Sequence, residues 1–386
     1  MKQLLEGSAA IAEMVKLCRV QVVSAYPITP QTHIVEQLAR TISGGELQAE
    51  YVNVESEFSA ASVVLGASAA GARAYTATTS QGLLLMAEVL FNMAGLRLPV
   101  VLTCANRGVS APITIWNDHQ DAMTVRDSGW LQLFAADNQE AVDLHLLAFR
   151  LAETLRLPVM VCVDGFILTH AWEPVNLPSQ AAVDAFLAPS APIALLDPAR
   201  PATLGALAEP DSYMEHRNRL FEAVEGSMQT MERLQQDFER QFGRRHGPTA
   251  GYRVDDADVA VVAMGSLNGT IEEAVDSLRD DGQRVGSLKV VSFRPFPAAE
   301  LRRDLGTVRR VVVLEKAVSM GSGGILSAEI RNALYELPSR PMVKSHVVGL
   351  GGRDVTVRDV REMVLSTRED APLFFGLRQP TAVEVS

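Results

Sequence analysis

The sequence predicts an α/β protein built on two parallel-sheet blocks. Three observations carry this. Short apolar runs alternate with longer helical stretches from residue 20 to about 166. A second alternating block runs from residue 258 to about 365. Between the two, a proline-rich stretch gives way to a long charged helix and breaks the rhythm. Strands that alternate with helices predict parallel sheets joined by crossover helices.

In the first block the strands fall at residues 20–25, 50–54, 72–78, 100–105, 131–135 and 159–163. Several are apolar throughout, such as Val159-Met160-Val161-Cys162-Val163, as expected when both sheet faces are covered. The intervening helices are expected at 31–41, 56–70, 81–96 and 139–156. Residues 172–253 form the break, with Pro174, Pro178, Pro189, Pro192, Pro198 and Pro201 ahead of a helix over 211–244. Its apolar positions Leu220, Met228, Met231, Leu234 and Phe238 predict that it lies on another surface. In the second block, strands at 259–264, 287–293, 311–315 and 344–348 alternate with helices at 269–281, 298–305, 324–337 and 355–366. The expected domains are therefore 1–171, a connector at 172–253 and a smaller α/β domain at 254–366. Residues 367–386 form a tail without a clear element, expected to pack on a partner.

Charge and composition narrow the function. The chain carries 46 acidic and 35 basic residues, a formal net charge of −11, which disfavours nucleic acid and anionic membrane surfaces as partners. Glu6 stands where a secretory signal needs its apolar stretch, and no run is long enough to cross a membrane. A cytoplasmic location is expected. Cys18, Cys104 and Cys162 lie far apart in apolar stretches, so no cluster-binding run and no metal site is expected in this chain. Any electron carriers would be on another chain.

Four segments stand where chemistry is expected, each just after a strand. Ala25-Tyr26-Pro27-Ile28-Thr29-Pro30-Gln31 leads into a helix, with Thr29 a suitable N-cap and Pro30 a suitable first helical residue. Glu55-Ser56-Glu57-Phe58 opens a helix of small residues that should pack deeply, leaving Glu57 at its mouth. In Thr78-Thr79-Ser80-Gln81-Gly82, Ser80 is the expected N-cap and Gly82 permits close approach. Asn106-Arg107-Gly108 places an arginine where it could grip a carboxylate bidentately. Each also has a plain structural reading: a capped helix, a dipole-favoured acid, a turn, a solvated cation. His119, in Trp116-Asn117-Asp118-His119-Gln120-Asp121, is read first as a structural histidine and second as an acid or base. Gly265-Ser266-Leu267-Asn268-Gly269 is not a dinucleotide fingerprint, and Gly321-Ser322-Gly323-Gly324 lacks the Lys-Ser/Thr of a phosphate loop and reads as a flexible turn.

Together these segments resemble the α subunit of the 2-oxoacid:ferredoxin oxidoreductases, the pyruvate:ferredoxin oxidoreductase family. The resemblance covers nearly the whole chain. It rests on Tyr26-Pro27-Ile28-Thr29-Pro30, Thr79-Ser80-Gln81-Gly82-Leu83, Asn106-Arg107, Ile115-Trp116-Asn117-Asp118-His119 and Val163-Asp164-Gly165-Phe166. In the second block Phe293-Arg294-Pro295-Phe296-Pro297 and Glu315-Lys316-Ala317 continue it. It implies the pyrimidine-type domain of the thiamine diphosphate fold, followed by a domain like the transketolase C-terminal one. It also implies oxidative decarboxylation of a 2-oxoacid to an acyl-coenzyme A and CO2. The implied substrate is pyruvate by default, or an aromatic 2-oxoacid such as phenylglyoxylate, or a branched-chain one. Glu57 matches the glutamate that hydrogen-bonds the cofactor's aminopyrimidine. Thr29 and Arg107 match residues that hold the substrate carboxylate, and Ser80, Gln81 and Gly82 would line the pocket near the pyrimidine.

The chain has no Gly-Asp-Gly, the start of the family's diphosphate–metal motif, and no cluster cysteines. The resemblance therefore implies that a β subunit carries that motif with its Mg2+, and that 4Fe–4S clusters lie on partner subunits. A γ subunit and a ferredoxin-like δ subunit complete the expected set, with ferredoxin or NAD as final acceptor. Two rival readings are a non-catalytic scaffold and a free-standing α/β ligand-binding protein. A scaffold has no need of Glu57, Thr29 and Arg107 together, and a free-standing binder would be monomeric and bind its ligand alone.

Overall fold

The computed structural model describes residues 2–188, 196–205, 207–366 and 373–378. Most of the expected C-terminal tail, residues 367–372 and 379–386, lies outside the described residues, as do Pro189 and Pro192. The chain divides into two compact units.

The first unit contains residues 1–250, together with 264–266 and 289–297. Its elements run β1 (Lys2–Glu6), α1 (Gly7–Leu17), β2 (Val22–Ala25), α2 (Thr32–Ser43), β3 (Glu50–Asn53), α3 (Glu57–Ala69) and β4 (Ala74–Thr78). There follow α4 (Ser80–Leu85), α5 (Ala87–Gly95), β5 (Val100–Asn106), α6 (Gln120–Thr124), β6 (Leu131–Phe134), α7 (Asn138–Leu155) and β7 (Val159–Asp164). Then come β8 (Trp172–Asn176), α8 (Gln180–Phe186), α9 (Tyr213–Glu225) and α10 (Ser227–Phe242). Further along the chain, and apart from β12 largely in the second unit, lie β9 (Thr249–Tyr252), β10 (Val259–Ala263), α11 (Leu267–Asp280), β11 (Val285–Val290), β12 (Ser292–Arg294), α12 (Ala298–Leu305), β13 (Arg310–Glu315), α13 (Ile325–Leu334), β14 (Met342–Val347) and α14 (Val357–Leu365).

A seven-stranded sheet in the order β12-β6-β7-β5-β4-β2-β3 forms the centre of the first unit. Its strands are parallel except β12, which pairs antiparallel with β6. Strands β4, β5 and β7 are buried along their whole length, as their largely apolar composition predicts. Helix α3 lies against β2 and β4, and its small buried residues Ala60, Ala61 and Val64 let the backbones approach. Helix α7 starts where the Asp137 side chain accepts from Glu140 N at 2.7 Å and ends at Arg156 in the left-handed region, φ 52°.

Several expectations change. The helix expected at 81–96 is two helices: it turns at Met86, whose ψ of −12° departs from the helical value. The helix at 211–244 is also two, and it packs on the first unit rather than elsewhere. Phe238 of α10 meets Phe186 at 5.4 Å, and Asp237 pairs with Arg150 of α7 at 3.0 Å. The strand expected at 287–293 is divided between two sheets. The chain changes sheet at Val291, whose N–H donates to Pro248 O and whose carbonyl accepts from Phe134 N. Thr29 is not an N-cap: α2 begins at Thr32, because Gln31 Nε2 is held by Ala77 O at 2.7 Å and Tyr26 O at 3.1 Å and keeps the preceding loop open. Ser80 is the first helical residue rather than the cap, a place taken by Thr79.

The second unit, residues 251–263, 267–288 and 298–386, is organised on a five-stranded sheet in the order β14-β13-β10-β11-β9. Val261, Ile271, Leu278, Val312 and Val360 belong to its core. The Gly321–Gly324 segment is a turn, as read, with Gly321 at φ 80° and Gly323 at φ 112°. It closes on Glu315, which accepts from Leu326 N at 2.7 Å and Ser345 Oγ at 2.8 Å. A Cβ on Gly324 would lie 1.8 Å from Glu315 Oε1, so the glycine makes room for a buried carboxylate. Among the described residues no helix is long and apolar enough to cross a membrane.

Candidate functional site

Strands β7, β5, β4 and β2 are consecutive neighbours, and the loops leaving their carboxyl ends carry the residues that the sequence singles out. This is where an open parallel sheet presents ligands with backbone N–H groups and loop side chains. Gly165, just after β7, comes so close to Pro30 that a Cβ there would lie 2.6 Å from Pro30 Cγ.

Glu57 is the first residue of α3, placed by Ser56, whose side chain accepts from Ser59 N at 3.2 Å. It is 7% exposed, and its carboxylate has no hydrogen-bond or ion-pair partner among the described residues. A buried carboxylate in that state costs free energy until a donor arrives. Gly82 faces it directly: a Cβ there would stand 2.7 Å from Glu57 Oε1 and 2.5 Å from Thr78 Oγ1. Thr78 Oγ1 is itself buried and without a partner. Gly82 thus leaves a cradle beside two unsatisfied acceptor groups.

Ser80 is fully buried and left-handed, φ 48°, a conformation that costs a side-chain-bearing residue roughly 1 kcal/mol. Asp121 holds it there, accepting from Ser80 N at 2.9 Å. Ser80 Oγ donates to Gly108 O at 2.6 Å, and Gln81, half-buried, donates through Nε2 to Ser110 Oγ.

Arg107 is 6% exposed. Its Nε donates to Thr114 O at 2.6 Å and its Nη1 to Thr29 O at 2.8 Å. No carboxylate pairs with its guanidinium among the described residues, and burial lowers its pKa from the ordinary value. Among the described residues Nη2 has no hydrogen-bond partner. A fixed, desolvated cation with free donors is suited to an anion of carboxylate geometry. Thr29 is exposed, and the structure joins it to Arg107 through its carbonyl.

Asp121 is the residue that sequence reasoning passed over. Fully buried in α6, it accepts from Ser80 N, Arg107 N at 3.0 Å, Asn106 Nδ2 at 2.8 Å and Ala122 N at 2.8 Å. One carboxylate therefore fixes both the β4 and the β5 loops. The available signal was its place at the end of the polar run from Trp116. His119 takes the structural role: its Nε2 is 2.7 Å from Asp164 Oδ1, and Asp164 Oδ2 accepts from Ser266 Oγ at 2.5 Å.

The unpartnered Glu57 carboxylate and the Gly82 cradle fit a heteroaromatic ring that offers N–H donors, as an aminopyrimidine does. Large apolar side chains are exposed on neighbouring segments: Tyr26 at 38%, Phe58 at 38%, Ile113 at 78% and Trp116 at 52%.

Comparison with known proteins gives concordant results. Residues 13–236 match a family described as "Pyruvate flavodoxin/ferredoxin oxidoreductase, thiamine diP-bdg", and residues 257–360 match "Pyruvate:ferredoxin oxidoreductase core domain II". The chain is 49% identical over 371 residues to "Pyruvate synthase subunit PorA" of Methanosarcina barkeri, covering 95% of this chain and 92% of that one. It is 47% identical to the Thermotoga maritima protein of the same name, covering 92% of each. It is 45% identical to "Ketoisovalerate oxidoreductase subunit VorA" of Pyrococcus horikoshii, covering 93% and 92%. Among solved structures, the 2-oxoglutarate:ferredoxin oxidoreductase from Magnetococcus marinus superposes with a TM-score of 0.73 at 20% identity, over 94% of this chain and 64% of that one. A split-gene transketolase gives 0.57 at 15% identity over 93% and 95%. The last two likenesses bear on the fold alone.

Proposed function

The chain belongs to the 2-oxoacid:ferredoxin oxidoreductase family, among its α subunits, and from that premise we propose that it supplies the pyrimidine-activating and substrate-gripping half of a coenzyme A-acylating pyruvate oxidoreductase. The observation that carries this reading is the Glu57 carboxylate, buried without a partner beside Gly82. Thiamine diphosphate, when bound, supplies the nucleophile and electron sink that decarboxylation of a 2-oxoacid requires.

The chain's own residues have distinct tasks. With the cofactor bound, Glu57 would accept a hydrogen bond from a ring nitrogen of the aminopyrimidine and so favour the tautomer in which that nitrogen carries the proton. Ser80, Gln81 and Gly82 would line the pocket for that ring. Arg107 receives the substrate carboxylate on its free Nη2 edge while Thr29 O and Thr114 O hold the guanidinium in place. Pyruvate is supported by the names of the relatives, and ferredoxin as acceptor by the name of the family. The remaining parts, diphosphate-binding groups with Mg2+ on a β subunit and 4Fe–4S clusters on further subunits (γ and a ferredoxin-like δ), are supported by what this chain does not encode. The exposed Tyr26, Phe58, Ile113 and Trp116 support a partner surface beside the site.

Glu57→Gln in the assembled complex is the test. The amide keeps the shape but is a far weaker proton acceptor. Pyruvate-dependent reduction of a viologen dye is expected to fall by about 10²–10⁴, with subunit composition unchanged. Near-normal dye reduction would overturn the assignment.

A further inference from the structure

Three side chains of metal-ligating type from separate parts of the first unit converge. They are Glu6 at the end of β1, His33 in the first turn of α2 and His170 in the turn after β7. One donor atom from each lies within 4.8 Å of the others. Glu6 Oε1 is 2.7 Å from His33 Nδ1, and the rings of His33 and His170 stand 4.7 Å apart at 38°. We propose that Glu6, His33 and His170 form a site for a divalent transition metal of the zinc type.

The ligand chemistry selects the ion. Two imidazoles and one carboxylate suit Zn2+ or a neighbouring first-row ion, whereas Mg2+ and Ca2+ favour all-oxygen sets. Zn2+ binds such donors at about 2.0–2.2 Å, so tetrahedral ligands stand about 3.3 Å from one another. The widest donor pair must therefore close by up to about 1.5 Å while the Glu6–His33 pair opens by about 0.6 Å, a movement open to His33, whose side chain is 50% exposed. The half-exposed side leaves room for water as a further ligand. Thr169 Oγ1, 2.8 Å from His170 Nδ1, orients that ring from outside.

The position gives the ion a structural task. Helix α2 leaves the Thr29–Pro30 loop, and His170 closes the loop that begins at Gly165, which touches Pro30. Phe166 in that loop packs on His170 at 4.6 Å and on Trp116 at 4.8 Å. A metal would pin the two loops together from below.

Calorimetric titration of the chelator-treated full chain with Zn2+ tests this. One Zn2+ per chain is expected, with Kd of about 10 µM or tighter. His33→Ala and His170→Ala should each weaken binding by about tenfold or more, and His216→Ala, on exposed α9, should not. Circular dichroism of each variant checks that folding is retained. No saturable binding, or binding unchanged in both His33→Ala and His170→Ala, would overturn the proposal and leave Glu6–His33 as a simple hydrogen-bonded pair.

Discussion

Gly82 stands close against Thr78 and Glu57 in the site. A methyl group at position 82 would meet Thr78 Oγ1 at 2.5 Å and Glu57 Oε1 at 2.7 Å. Gly82→Ala is expected to displace the Glu57 carboxylate at a cost of about 1–3 kcal/mol. Pyruvate-dependent dye reduction should drop by roughly tenfold or more while circular dichroism stays unchanged. Wild-type turnover would mean that the carboxylate is free to move aside. The positions of Glu57, Arg107, Thr29 and Gly82 were legible because each follows a strand or stands in the first turn of a helix, and the structure has them there. Asp121 was not, since an acid in the first turn of a short helix looks the same whether solvated or buried. Ser80's left-handed backbone was equally hidden, because serine carries none of glycine's signal. The Thr29 cap failed for a related reason: Gln31 reaches Ala77, 46 positions along the chain, and local capping rules do not see that contact.

Among the elements, α7 was legible to within a residue or two from its periodicity, but its polar partners were not. Glu140 and Asp143 lie on its buried side and meet His246, Arg244 and Lys289, all about a hundred residues or more away. Burial would lower the pKa of His246, but hydrogen bonds to Asp143 and Glu140 outweigh it and raise it to about 9. For Glu140 burial would raise the pKa, and His246 with Lys289 instead hold it at about 2. The histidine's contribution to stability is complete below its unfolded pKa near 6.5 and is lost as pH rises through about 9. The carboxylate's is complete above about 4.5 and fades as pH falls toward 2. Thermal melts should therefore show a loss on the order of 2 kcal/mol between pH 7 and pH 9.5. His246→Asn should abolish that slope. Strand β1 and its partner β8 were missed because a two-stranded ribbon with exposed residues has no apolar run to reveal it.

For the whole molecule, the change in composition near residue 250 was visible, but the path of the chain was not. The segments 264–266 and 289–297 return to the first unit, and they are too short to leave a pattern in sequence. They bring Ser266 to Asp164 and Lys289 to Glu140, which are 1% and 3% exposed. A fragment of residues 1–250 would leave both carboxylates buried without those partners and uncover the edge of β6. Removing one partner of a buried pair costs about 3–5 kcal/mol. Calorimetry should therefore find the fragment melting roughly 10 °C or more below the full chain, if it remains in solution. Equal melting temperatures would show that the returning segments add nothing.

The same path constrains how this chain can exchange parts with its relatives. A single crossover at residue 250 would graft foreign residues 264–266 and 289–297 onto the first unit's sheet. Such a hybrid keeps its buried acids satisfied only if the donor also has a hydroxyl at 266 and a cation at 289. Recombination after Pro297 leaves the first unit intact but divides the second, because residues 251–263 and 267–288 lie upstream of that junction and share one core with residues downstream of it. Viable chimeras with an early junction should therefore carry Ser266 and Lys289 with the first unit as a set.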